Sequence, residues 1–158
     1  MADRIAVMVD GRIVQIGRPH ELYNEPADVR VAEILGSPAI NVIEGRATLD
    51  DVDAGGLKWP LDVGRPGNVL VGFRPEAATI AHARPGGGNA RVARIEHLGN
   101  ELLLHLALAD GQRAIVRAEA DFSVAPGVEL QVTVPAGKLL LFDEHGARVR
   151  PQPVGQLA

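Results

Sequence analysis

The chain is 158 residues long, carries a formal net charge of −4, is 46% hydrophobic and has no cysteine. That length holds one domain or one plus a fragment, and the apolar fraction supports a packed core over a disordered coil. The acidic balance argues against nucleic-acid and anionic-membrane partners, and without cysteine there is no disulfide framework or thiolate site.

Aromatics are only 3%, so the core must come from Val, Leu, Ile and Ala, while 18 Gly and 11 Pro favour many short strands over long helices. Asp3 and Arg4 interrupt the apolar residues at the start, so no signal peptide fits there, and no apolar run approaches bilayer length. The expectation is a soluble protein whose link to a membrane goes through a partner. Ile5–Val9 (IAVMV) is a continuous apolar run, the pattern of a strand buried on both faces. Asp10-Gly11 separates it from Arg12–Ile16. An Asp-Gly pair between two β-prone runs signals a hairpin, because a type I′ turn needs positive φ at both central positions. Too little chain precedes this strand to cover both its faces, so it reads as cut from a larger α/β domain; a normal N-terminal strand of a self-contained fold is the rival account. Its apolar edge is expected to dock on a second copy, as in a swapped dimer, or to be poorly ordered.

Pro19 starts a short helix through Glu21, Leu22 and Tyr23, and Pro26 a second one through Leu35. Ala27, Val31, Ile34 and Leu35 fall on one helical stripe, and Gly36 suits the left-handed position after the helix. Ser37-Pro38 then ends helical structure and opens a new domain. From Asn41 the chain reads as strands: Val42–Thr48, then an acidic turn at Asp50, Asp51 and Asp53, then Leu57–Leu61 after Gly55-Gly56. Val69–Arg74 alternates, with Val69, Val71 and Phe73 on one face, and stops at Arg74-Pro75. Proline removes a ladder donor and holds the preceding residue extended. Arg74 and Glu76 therefore sit at a strand break, where they either pair and fasten the strand end or turn toward another segment or a partner.

Pro85-Gly86-Gly87-Gly88 reads as a flexible connector. Asn89–Leu98 is a strand whose apolar residues Val92, Ile95 and Leu98 do not alternate cleanly, the mark of a bulge. Leu102, Leu104, Leu106 and Leu108 alternate well, Asp110-Gly111 gives a second hairpin signal into Arg113–Ala118, and Val128–Val134 turns Glu129, Gln131 and Thr133 outward. Leu139–Phe142 and Ala147–Val149 flank the turn Asp143–Gly146, and the Pro-rich tail after Arg150 is expected to fray. Repeated short strands with glycine turns and few helices imply a small barrel or sandwich.

Several stretches carry a resemblance. ADRIAVMVDGRIVQIGRPHELYNEPADVRVAEILGSPAIN, Ala2–Asn41, closely resembles the end of the nucleotide-binding domain in maltose and glycerol-phosphate importer ATPases. The departure is Arg30–Ile34, where that family has an aromatic on either side of Val-Ala. VLVGFRPEAATI resembles the V-G-[FIV]-R-P-E signature of the same subunits' regulatory region. Arg91–Glu101 resembles the stretch V-x-x-x-E-x-L-G-x-E, and Leu141–Gly146 the closing L-F-[DR]-x-x-G. The resemblance implies a mainly β fold, an OB-type (TOBE/MOP-like) small barrel preceded by a hairpin and short helices left over from a nucleotide-binding domain. It implies a division into 1–36 (remnant), 37–150 (regulatory barrel) and 151–158 (flexible tail). Its signature positions, which are the candidate interface residues, are Gly36, Ser37, Pro38, Asn41, Arg74, Pro75, Glu76, Glu96, Leu98, Gly99 and Glu101.

Catalytic machinery is not expected. An ABC ATPase needs a phosphate loop with Lys, an acidic strand end for Mg²⁺, a signature loop and a switch histidine, and none is written here. Gly137-Lys138 lacks the following hydroxyl residue and the upstream glycine, so it reads as a turn with a solvated lysine. Gly86–Gly88 lacks the strand-to-helix setting of a phosphate cradle. His20, His82, His97, His105 and His145 have no metal-ligand spacing, His105 reads as a surface or interface histidine, and the aspartates at 50, 51 and 53 read as a solvated turn. No catalytic, cofactor or metal residue is assigned; ATP and Mg belong to a full-length parent.

The function implied by the resemblance is a regulatory and dimerisation region of the ATP-binding subunit of an importer for sugars or related solutes. It would be a homodimer through the barrel and the hairpin, joined in the full protein to the transporter's membrane subunits, cytoplasmic and peripheral to the inner membrane. The alternative is an oxyanion or small-effector sensor, as in molybdate and sulfate systems, although two lysines are few for that role. A nucleic-acid-binding barrel would stack bases on aromatics in a basic groove, and an acidic chain with few aromatics does not suit it.

Overall fold

The computed structural model describes residues 3–153; Met1, Ala2 and residues 154–158, which include the first residue of the family-like stretch and most of the expected tail, lie outside the described residues. Strands β1 (Ile5–Val9) and β2 (Arg12–Gly17) form the hairpin, turning at Asp10 (φ 51°) and Gly11 (φ 78°), the two positive dihedrals of a type I′ turn. The apolar run is not buried on both faces. Val7 is 5% exposed but Met8 is 58% exposed. Val7 packs with Leu22 and Val31, flanked by Ile5, Val14 and Leu35, so helices of the same chain cover the inner face. The outer face, where Met8 pairs with Ile13 and Ala6 with Ile16, stays open. The hairpin thus packs within its own chain through one face, in place of the poorly ordered arrangement expected as one alternative.

Helix α1 (Pro19–Asn24) starts at its proline, and Glu21 Oε2 accepts from the Arg18 N–H at 3.2 Å, the return half of a capping box. Helix α2 (Val29–Ile34) starts three residues later than expected. Pro26 does not open it; Asp28 caps it, accepting the Arg30 N–H at 2.8 Å. The later start rotates the stripe. Val29, Val31 and Ala32 are buried, Ala27 precedes the helix, and Ile34 is 56% exposed.

The rest is strand: β3 (Asn41–Ala47), β4 (Val52–Ala54), β5 (Leu57–Trp59), β6 (Leu61–Asp62), β7 (Gly67–Phe73), β8 (Thr79–His82), β9 (Ala90–His97), β10 (Glu101–Leu108), β11 (Arg113–Glu119), β12 (Glu129–Thr133), β13 (Leu140–Asp143), β14 (Arg148–Val149) and β15 (Gln152–Pro153). One antiparallel sheet runs β14-β13-β7-β3-β4-β5 and a second runs β11-β10-β9-β12-β8. Alternation aims one face of each inward: Val69, Val71 and Phe73 from β7, Leu102, Leu104, Leu106 and Leu108 from β10, and Leu130 and Val132 from β12 share one core. Fully burying one such aliphatic side chain contributes about 1.5–3 kcal/mol, so this shared core holds the small OB-type barrel together.

Local irregularities follow the sequence. His105 pairs with Arg94 and Leu106 with Val92, leaving Ala93 as the extra residue, which is the bulge that β9's broken alternation predicts. The β10–β11 turn is a three-residue loop, with Gly111 at φ 91° donating to Leu108. The tail does not fray at once: Gln152 and Pro153 pair with Asp62 and Leu61. Asp53 lies in β4, outside the acidic turn expected to hold it. The glycine connector is not slack either, since the Gly86 and Gly88 N–H groups donate to Glu129 Oε2 at 2.9 and 3.4 Å.

Candidate functional site: the joint at the strand end

Strand β7 ends at Phe73, and Pro75 opens a 3-10 turn over Pro75–Ala77, which leaves Arg74 extended one residue past the last ladder position. Its side chain does not reach solvent; Arg74 is 6% exposed. Nη1 donates to the carbonyls of Ala32 (3.0 Å) and Leu35 (2.6 Å), and Nη2 to the carbonyl of Tyr23 (3.0 Å). Those carbonyls belong to the C-terminal ends of α1 and α2, which have spare acceptors and a partial negative charge. The guanidinium carbon also lies 4.0 Å from the centre of the Tyr23 ring. Burial lowers the Arg74 pKa, opposed by the nearby Tyr23 and Glu76.

Glu76 does not pair with Arg74, so the expected ion pair is replaced by two separate attachments to one helical segment. The Tyr23 hydroxyl donates to the Glu76 carboxylate, and burial together with that bond raises the Tyr23 pKa. Gly36 is part of the same joint: at φ 98° it turns the chain after α2, and a Cβ there would lie 3.2 Å from Tyr23 and 3.3 Å from Arg74 Nη1. Three signature residues, Gly36, Arg74 and Glu76, therefore meet around Tyr23, with Pro75 buried at the start of the turn that carries Glu76.

Asn41 performs a different task. At 7% exposure on β3, it donates from Nδ2 to the Ile115 carbonyl at 2.8 Å and accepts the Ile115 N–H on Oδ1 at 2.7 Å. Its amide thus pairs with β11 as a strand backbone would, tying the two sheets. A third bond runs from Nδ2 to the Phe73 carbonyl at 3.2 Å, one residue before Arg74. Ser37, joined to Pro38 by a cis peptide bond, accepts on its carbonyl from Arg117 Nη2 at 3.1 Å. Arg117 Nε also lies 3.8 Å from Glu101 Oε2, so Arg117 connects the start of the barrel to the β9–β10 hairpin.

That hairpin carries the remaining signature residues. Gly99 at φ 83° takes the first central position of its two-residue turn, and Leu98 and Glu101 close it with a bond of 2.9 Å. Leu98 belongs to the turn and not to the preceding strand, and it is 47% exposed. Glu96 faces outward with His105 and Arg94 (3.2 Å), and its hydrogen bond to His105 lowers its pKa. The signature thus splits into a joint (Gly36, Arg74, Pro75, Glu76), a junction held by Arg117 (Ser37, Pro38), a sheet tie (Asn41) and an outward hairpin (Glu96, Leu98, Gly99, Glu101). Sequence reasoning missed Tyr23 and Arg117, which carry no local signal and gain meaning only when distant segments meet.

Gly137-Lys138 lies in the 3-10 turn Ala136–Lys138 between β12 and β13, with Lys138 exposed. Asp51 is held at its turn by the Thr48 hydroxyl (3.0 Å) and by Lys58 (3.2 Å).

Fold and signature together define a class. Residues 71–142 match the family model of the TOBE domain, and this region is a TOBE domain. Along 94% of its length the chain is 35% identical to the sn-glycerol-3-phosphate import ATP-binding protein UgpC of Rhizobium meliloti (strain 1021), covering 43% of that protein. It is 30% identical to the xylose/arabinose import ATP-binding protein XacK of Haloferax volcanii over 90% of this chain and 40% of that one. The alpha-glucoside transport ATP-binding protein AglK of Rhizobium meliloti (strain 1021) is 34% identical over 95% of this chain and 44% of its own length. The chain is a relative of the C-terminal part of such ABC importer ATP-binding subunits, and it spans less than half the length of the curated relatives it matches. A solved structure of the cytoplasmic molybdate-binding protein ModG aligns at a TM-score of 0.48 and 16% identity, over 64% of this chain and 94% of that one.

Proposed function

We propose that this chain is the regulatory and dimerisation region of the ATP-binding subunit of an ABC importer for sugars or related solutes, and that it is not itself catalytic. The observation that carries the reading is the use made of the signature residues. Arg74 and Glu76 spend their polar groups fastening helices α1 and α2 to the barrel, so the barrel is attached to the segment that precedes it and not poised around a substrate. A regulatory barrel needs such an attachment, because it acts on a partner domain only if the two move together. The outward hairpin bearing Leu98, and the open face of β1 and β2, supply surface for a second copy.

The residues present do not fit ATP or Mg²⁺. The Gly86 and Gly88 amides hold Glu129, and Lys138 ends a short 3-10 turn that runs from strand to strand, which is not the strand-to-helix setting of a phosphate cradle. Those groups belong to a longer parent, which would sit in the cytoplasm against the importer's membrane subunits. No helix among the described residues is long and apolar enough to cross a membrane.

The test is nucleotide turnover by the purified chain with Mg²⁺ and ATP. Phosphate release equal to a buffer blank is expected, and turnover that scales with protein concentration and survives repurification overturns the reading.

A further inference from the structure

Beyond Arg74, a cleft of about 540 Å³ opens between the helical segment and the barrel, a volume in the range of small-ligand sites. Its charged lining is Arg74, Lys138 and Arg148 against Glu25 and Glu76, a net positive wall on a chain of net charge −4. Both carboxylates are engaged. Glu25 accepts from Arg148 at 3.3 Å and Arg150 at 2.6 Å, and Glu76 accepts from the Tyr23 hydroxyl. The cations are served less well. Arg74 donates only to neutral carbonyls, and among the described residues no carboxylate lies within 4.0 Å of the charged atoms of Arg74 or Lys138.

One further detail concerns access to the lysine. Gly137, beside Lys138, has nothing within 4 Å of the place a Cβ would occupy, so the space next to the lysine is open. Unspent capacity in the cleft is therefore positive charge and N–H donors, which suits an acceptor-rich anion over a neutral sugar.

We propose that this cleft binds a phosphate group, free or carried on a small metabolite, with Lys138 and Arg148 as its charged partners. Because Tyr23 and Glu25 come from the helical side and Lys138 and Arg148 from the barrel side, an occupant bridges the two and stiffens the joint. This site lies within one chain and does not depend on dimerisation.

The experiment is thermal unfolding and titration calorimetry on the whole chain with inorganic phosphate, glucose 6-phosphate and glucose, at an ionic strength held constant with chloride. The phosphate-bearing probes raise Tm and glucose does not, since a ligand that binds only the native state stabilises it. Binding of both probes assigns the site to the phosphate group alone; binding of glucose 6-phosphate only assigns it to a phosphomonoester. Lys138→Gln weakens the phosphate probe by about tenfold, the worth of one charge-assisted hydrogen bond at a partly exposed site. Glu25→Gln, which frees Arg148 from its carboxylate, tightens it severalfold. No Tm rise with either phosphate probe, an equal rise with glucose, or binding that Lys138→Gln leaves unchanged overturns the proposal.

Discussion

Replacing Arg74 by methionine removes the guanidinium that joins barrel and helices while keeping an unbranched apolar stem. The variant deletes three donated hydrogen bonds, at 2.6, 3.0 and 3.0 Å, and the stacking on Tyr23. Hydrogen bonds to a charged group contribute about 1.5–3 kcal/mol each and a cation–π contact about 0.5–2, so the gross loss is roughly 5–11 kcal/mol. Against this stands the cost of keeping a cation almost fully out of water, several kcal/mol, the same burial that lowers the Arg74 pKa. The net is a destabilisation of about 3–5 kcal/mol, comparable to removing one partner from a buried charged pair. At about 2–4 °C per kcal/mol for a chain of this size, Tm falls by roughly 6–20 °C. Calorimetry reads the shift, and hydrogen exchange locates it: the amides of α1 and α2 lose protection more than those of β10. Arg74→Lys keeps the charge but gathers its donors on one nitrogen, which cannot span carbonyls on two helices, so it rescues little. A Tm within about 2 °C of the parent, with exchange on residues 19–35 unchanged, would refute the joint.

Asn41→Leu strands the N–H and carbonyl of Ile115, and unfolding followed by the single tryptophan, Trp59, is expected to show a loss of about 2–4 kcal/mol; a loss under about 0.5 kcal/mol contradicts the sheet tie. Gly36→Ala places a Cβ at positive φ and against Tyr23 and Arg74, so a denaturant midpoint lowered by about 1–2 kcal/mol is expected, with an unchanged midpoint as the contrary result. The Arg150 hydrogen bond, then Arg148, lowers the Glu25 pKa, and the Ala147 N–H lowers that of Asp143. A carboxylate whose folded-state pKa is lowered contributes stability that is present above its ordinary value and lost as pH falls through the lowered one. Tm is therefore expected to be level near neutrality and to fall below about pH 4.5, less steeply in Glu25→Gln; a Tm that rises on acidification contradicts this.

Much of the barrel was legible because its cues are local. Asp10-Gly11 marks a turn by conformational freedom alone, and the alternation of Val128–Val134 fixes which face of β12 is buried. The Ala93 bulge could be read because one extra residue breaks a period of two. Where the reading failed, two local signals competed or the deciding contact was distant. Pro26 and Asp28 are both helix openers two residues apart, and the carboxylate that caps the Arg30 N–H won. The apolar run Ile5–Val9 looked buried on both sides because pattern alone does not reveal that helices cover only one face. Arg74 was visible as a charge at a strand break, but not as a buried clamp, since its three acceptors lie 39 to 51 residues away along the chain. Glu96, Leu98 and Glu101 were visible as a motif, while the exposure of Leu98 became evident only when Gly99 placed it in a turn.

The proposed role in holding copies together stands or falls on oligomeric state. Light scattering coupled to size exclusion at high micromolar concentration is predicted to give the mass of two chains, and Leu98→Ser together with Met8→Ser is predicted to shift it toward one. A single-chain mass for the parent at that concentration would contradict the account.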